Sequence, residues 1–139
     1  MKTILRILEQ AGGYRPTLYL KIENPPYMAL VIEATPEPGP IGLTAISIAH
    51  YGEQIGNLMR DPEMCFELSK PPLCSLELVA YYWRNDYMGV EQYSRYIDGA
   101  NYVFVPNLYE QHQKFAALWD RNLRAQGFLE AFTDKCVRG

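Results

Sequence analysis

Hydrophobic spacing along the chain changes its period twice. Between residues 2 and 11, Ile4, Leu5, Ile7, Leu8 and Ala11 recur at helical spacing, and Gly12-Gly13 then ends the run, as glycine does past a helix C-terminus. A short amphipathic helix is predicted there. From 17 to 105 the period is two. Leu18, Leu20 and Ile22 alternate with Thr17, Tyr19, Lys21 and Glu23, and after an Asn24-Pro25-Pro26 turn Met28, Leu30 and Ile32 continue the alternation. This is the pattern of strands with one buried face. A proline-rich loop follows at 35–40, then a third strand at 42–51 and a polar connection from Gly52 through Pro62. Met64, Phe66 and Leu68 mark a fourth strand at 63–68, which Lys70-Pro71-Pro72 ends. A fifth strand is predicted at 75–84, a hairpin loop from Asn85 to Gly89, a sixth strand at 90–97 and a short seventh at 101–105.

The helical period returns after residue 106. Asn107, with Glu110 three residues on, has the form of a capping box, and Leu108, Phe115, Trp119 and Leu123 fall on one face. Gly127 is the predicted stop, followed by an apolar FLEAF segment and a charged tail at 133–139. All ten prolines lie between Pro16 and Pro106, so both ends are free of helix breakers. The expected fold is α+β: a single domain over 1–139, with its ordered core at about 3–132. A mostly antiparallel, twisted sheet of about six strands carries an N-terminal and a C-terminal helix on one face.

Composition narrows the class. With 139 residues and 48% hydrophobic content, the chain can bury a core without staples. No apolar run approaches the roughly 18–20 residues that cross a bilayer, and Arg6 and Glu9 interrupt the first run too early for a secretory leader. The cysteines, Cys65, Cys74 and Cys136, are odd in number and lack C-x-x-C spacing. They read as free thiols of a cytoplasmic protein. A zinc site would have to gather Cys65, Cys74, His50 and His112 without support from spacing, so no metal or cofactor is expected. Residues 17–72 carry three basic and seven acidic groups, and 107–139 carry five and four. The absence of a cationic stripe argues against nucleic acid as partner.

Two groups of residues could carry chemistry. His50 ends one predicted strand while Asp61 and Glu63 open the next. A histidine beside a carboxylate is the minimum of a general base with its orienter. A small hydrolase or metal-assisted enzyme using His50 with Asp61 or Glu63 is one reading. The blander one makes Asp61-Pro62 a turn and His50 a strand-end residue, and no Ser or Cys sits in a nucleophile motif. The second group lies between Tyr81 and Tyr109, which holds seven of the eleven tyrosines. Tyrosine presents a large, fairly rigid amphipathic surface that recurs at interfaces. The candidate partner-binding residues are Tyr81, Tyr82, Trp83, Arg84, Asp86, Tyr87, Tyr93 and Tyr96, the partner being a host or element-encoded protein. Strict alternation would point Tyr81 and Trp83 one way and Tyr82 and Arg84 the other. Packing of these aromatics on a second covered face is the competing account. Only Arg84 and Arg95 lie among the aromatics, too few for a base-stacking groove. His112 reads as a packing residue, and Arg121 and Arg124 as favouring the helix dipole.

Residues 44–64 resemble the central motif of an uncharacterised bacterial domain family found on phages, plasmids and other integrated elements. His50, Tyr51, Gln54, Gly56, Met59, Asp61, Pro62, Glu63 and Met64 match it. Ile55 and Asn57 depart from it, where the family usually has Asn and Asp. YYWRNDYMG (81–89) and FAALWDRNLRAQGF (115–128) are similar to two later elements, so the resemblance spans roughly residues 3–132. It implies a mobile-element setting rather than a reaction. In that setting a small protein-binding module, including one that blocks host defence, is the expected function.

Overall fold

The computed structural model describes residues 1–72 and 75–138, with side chains as far as Lys135; Cys74 and the side chain of Cys136 lie outside the described residues. Helix α1 (Lys2–Gln10) leads into strands β1 (Tyr19–Asn24), β2 (Tyr27–Ala34), β3 (Ala45–Gln54), β4 (Asn57–Ser69), β5 (Glu77–Asn85) and β6 (Val90–Tyr93). These form a six-stranded antiparallel sheet in the order β1-β2-β3-β4-β5-β6. A two-stranded ribbon of β7 (Arg95–Asp98) and β8 (Asn101–Phe104) follows, then α2 (Pro106–Ala125) and α3 (Phe128–Arg138). The fold is of the expected α+β class, a six-stranded antiparallel sheet with helices from both ends of the chain, to which the two-stranded ribbon is added.

Inward positions of the alternation from Ile22 to Ala80 meet in one core, Met28 excepted, which is 38% exposed. Ile22, Leu30, Ile32, Ile46, Ile48, Met64, Phe66, Leu68, Leu78 and Ala80 pack with Ile4, Ile7, Leu8, Trp119, Leu123 and Phe128 of the helices. A fully buried aliphatic or aromatic side chain contributes about 1.5–3 kcal/mol, so this face holds sheet and helices together. The start of α1 is buried without a side-chain cap of its own. Asp120 of α2 substitutes, accepting from the Thr3 and Ile4 N–H groups at 3.2 and 3.4 Å. Those are two of the donors a helix start leaves unpaired.

Four local expectations are corrected. Most of the polar connection at 52–62 is strand: β3 and β4 run to a two-residue turn at Ile55-Gly56, where Ile55 has φ 51° and Gly56 φ 77°. Polar residues pair there because this end of the hairpin is exposed on both sides. The sixth strand is divided at Ser94, whose N–H bonds to the Tyr81 carbonyl while its own carbonyl accepts from Val105 N–H. Helix α2 starts at Pro106 after an extended Val105, with no side-chain cap from Asn107; proline at a first helical position needs no N–H partner. The FLEAF segment is the start of a third helix, with Phe128 and Phe132 in the core.

Candidate functional site

All three helices cover the same side of the sheet, and the register fixes what the other side displays. One cross-sheet row runs Tyr19, Glu33, Ser47, Cys65, Tyr82 and Tyr93, and the next runs Lys21, Val31, Ala49, Glu63, Arg84 and Glu91. Small side chains occupy the middle and large ones the ends. Ala45, Ser47, Ala49 and Cys65 are buried although no helix covers them, because their larger neighbours close over them. Two clefts result. One, of about 420 Å³, lies among Tyr19, Lys21, Tyr51, Leu58 and Arg60; the other, of about 540 Å³, lies among Pro36, Glu63, Tyr81, Tyr82 and Tyr93; Glu33 lines both.

Two bulges decide which side chains reach this face. Between Ala49↔Glu63 and Tyr51↔Arg60, Asp61 and Pro62 stand opposite His50 alone, so Arg60 and Glu63 both point to the uncovered face. Between Cys65↔Tyr82 and Phe66↔Ala80, Tyr81 is the extra residue. Alternation restarts after a bulge, and Tyr81 and Tyr82 line the same cleft. Trp83 is thereby turned to the helix side, where it packs edge-on against Phe115 at 5.7 Å. The expectation that Tyr81 and Trp83 share a direction fails for this reason.

The bulges also separate the histidine from a carboxylate. His50 lies on the helix side with ring contacts to Trp119 and Phe128 at 5.6 and 5.5 Å. Its Nδ1 lies 3.1 and 3.3 Å from the Met28 and Ala29 carbonyls, to which it donates as the protonated ring nitrogen. Burial depresses its pKa; the two carbonyls and the Asp61 charge oppose that. Asp61 accepts from Asn85 Nδ2 at 2.8 Å. Glu63, on the opposite face, accepts from Ser47 Oγ at 2.5 Å and pairs with Arg60 at 3.2 Å. Sheet alternation therefore does not bring His50 and Glu63 together, and Asp61 acts on the imidazole by charge alone. Cys65, on the uncovered face, is likewise apart from His50, and His112 is bonded through Nε2 to Gln92 at 2.9 Å.

The tyrosine-rich segment is arranged around an ion network and an exposed ribbon. Arg84 pairs with Asp86 at 2.6 Å and Glu91 at 3.4 Å, and Asp86 accepts from Arg60 N–H at 2.8 Å. Tyr82 is buried, its hydroxyl donating to Glu91 at 2.8 Å and its ring 4.8 Å from Tyr93. Tyr81 is half-buried. Tyr87 is exposed at the β5–β6 turn, its hydroxyl close to Gly52, where a Cβ would meet it at 2.5 Å. Tyr93 and Tyr96 are exposed with rings 6.4 Å apart. Ile97, Tyr102 and Phe104, missed from the sequence, share the ribbon face opposite Tyr96 and are 52, 45 and 46% exposed.

One buried residue anchors the ribbon. Arg95, 3% exposed, reaches under it to the carboxylate of Glu67, which is fully buried. Its other donors meet the Val79 and Ala80 carbonyls at 3.5 and 3.4 Å and the Tyr102 hydroxyl at 3.0 Å. The second Glu67 oxygen accepts from Ile41 and Leu43 N–H at 3.1 Å each, tying the proline-rich loop to the same point. Glu33, Ser47, Arg60 and Cys65 were also missed as site residues. The signal for the cleft was the run of small outward residues Ala45, Ser47 and Ala49 along β3.

Among the described residues, no helix is long and apolar enough to cross a membrane. A family model described as "Domain of unknown function (DUF6908)" matches residues 2–129. No curated protein and no solved structure matches the chain.

Proposed function

The chain belongs to the DUF6908 family, and from that premise we propose that it is a protein-binding module, with the uncovered sheet face and the β7–β8 ribbon as its recognition surface. The observation that carries this reading is the exposure of Tyr93, Tyr96, Ile97, Tyr102 and Phe104 in one short stretch of chain. An isolated two-stranded ribbon is marginal in water, and apolar side chains gathered on a surface mark an interaction site more often than scattered ones do. Here Arg95, on the same ribbon face as Ile97, Tyr102 and Phe104, ties the ribbon to the sheet through Glu67, and Phe104 packs 5.2 Å from Tyr109, while the outer parts of these side chains stay exposed. Aromatic residues on a rigid support bind with little entropic loss. The resemblance of residues 44–64 to proteins of phages and plasmids supports a mobile-element origin, a cytoplasmic host protein as target, and a role in blocking host defence.

The test is paired capture from host lysate with the intact chain and with an Ile97→Ser/Phe104→Ser variant whose fold is checked by circular dichroism and melting. A stoichiometric protein retained by the intact chain, and retained at least tenfold less by the variant, is the expected result. Identical retention by both, or none by either, would overturn the proposal.

A further inference from the structure

We infer that the cleft between Glu33 and Tyr93 receives a cationic side chain, arginine or lysine, from the bound partner; this rests on the protein-binding reading and names the chemistry of recognition. The cleft of about 540 Å³ has two carboxylates, Glu33 and Glu63, and three tyrosines, Tyr81, Tyr82 and Tyr93, in its wall, and neither Lys nor Arg. Its floor is uncharged: Ser47 donates to Glu63, and burial pushes the Cys65 thiol up to about 12, so it stays protonated.

The charge is only partly compensated. Arg60 lies 3.2 Å from one Glu63 oxygen, and the other accepts the Ser47 hydroxyl at 2.5 Å. Glu33 makes no ion pair among the described residues. Lys21, across the neighbouring cleft, pairs with Glu23 at 3.6 Å. Burial and then the Glu63 charge raise the proton affinity of Glu33, with Arg60 opposing. Arg60 is thus paired with Glu63 and also with Asp86 at 3.7 Å, and no cation is paired with Glu33 among the described residues. A guanidinium or ammonium entering beside Glu33 would restore neutrality, and tyrosine ring faces attract cations through their quadrupole. Arginine would add a planar fork able to bond a carboxylate through two N–H groups. Among the described residues no three metal-ligating side chains converge, so the geometry favours an organic cation.

The test uses N-acetyl-arginine amide as probe, with N-acetyl-citrulline amide as its neutral isostere, followed by amide chemical shifts on the full chain. Arginine amide is expected to bind in the millimolar range and to shift residues 33, 47, 81 and 93, whereas citrulline amide leaves them still. Glu33→Gln is expected to weaken binding by about tenfold, and Tyr93→Leu, which leaves both carboxylates in place, by a smaller factor. Equal shifts from both amides, or arginine shifts located elsewhere, would overturn the inference. Its failure is separable from that of the proposed function. Partner capture that survives Glu33→Gln and excess arginine amide removes the cleft's role and leaves the ribbon's. Arginine binding at the cleft with no partner captured does the reverse.

Discussion

Replacing Arg95 with methionine tests whether the ribbon depends on a single buried anchor. The substitution keeps apolar volume but removes the charge facing Glu67, whose side chain is fully buried. Two backbone N–H groups, from Ile41 and Leu43, would still solvate that carboxylate. Removing one partner of a buried pair costs about 3–5 kcal/mol, because the remaining charge stays desolvated. Against a total stability on the order of 5–15 kcal/mol, the variant should fold with a Tm lower by about 10–15 °C, at about 3 °C per kcal/mol. Urea denaturation gives the free energy directly. Adding Glu67→Gln, which keeps an acceptor for Ile41 and Leu43, should recover part of the loss, with a coupling of at least about 1.5 kcal/mol in the cycle. Hydrogen exchange at residues 96–104 should accelerate before the rest of the sheet opens. A loss below about 1 kcal/mol, or an additive cycle, would refute the reasoning.

Other outcomes follow from the same structure. Asp120→Ala leaves the Thr3 and Ile4 N–H groups of α1 without their acceptor and should cost about 1–3 kcal/mol in urea melts; no change would mean the α1 terminus is solvated otherwise. His50 has a pKa depressed by burial below its ordinary value near 6.5, so the unfolded chain binds the extra proton first. Stability should hold above that value and decline as the pH falls through it toward the depressed one. His50→Gln should flatten this slope between pH 7.5 and 5, and an unchanged slope would contradict the assignment. Cys65, buried with its pKa raised to about 12, should resist iodoacetamide at pH 8 in the folded chain and react once urea unfolds it, as read by peptide mass spectrometry. Prompt native labelling would contradict its placement under the tyrosines.

Period and punctuation carried much of the fold in readable form. The alternation of Leu20 and Ile22 with Tyr19 and Lys21 corresponds to the two faces of β1, and the Phe115-Trp119-Leu123 stripe lies on the core side of α2. What stayed hidden depends on single inserted residues or on contacts distant in sequence. Tyr81 and the Asp61-Pro62 pair are bulge residues, and no local pattern distinguishes a bulge from continued alternation. Each one reverses the facing of everything beyond it, which is why Trp83 joined the core and His50 parted from Glu63. The Arg95–Glu67 pair is 28 residues apart in sequence, so neither residue had a visible partner. Glu33 looked like an ordinary outward charge of β2; only the register across three strands sets it beside Glu63.

Hydroxyl-radical footprinting of the chain, free and saturated with its captured protein, examines the proposed surface most directly. Tyr93, Tyr96, Ile97, Tyr102 and Phe104 should be oxidised readily in the free chain and protected in the complex, while exposed Leu118 on α2 is unchanged. Protection confined to Leu118 and the helix side, with the ribbon residues oxidised equally in both states, would contradict recognition through the uncovered face.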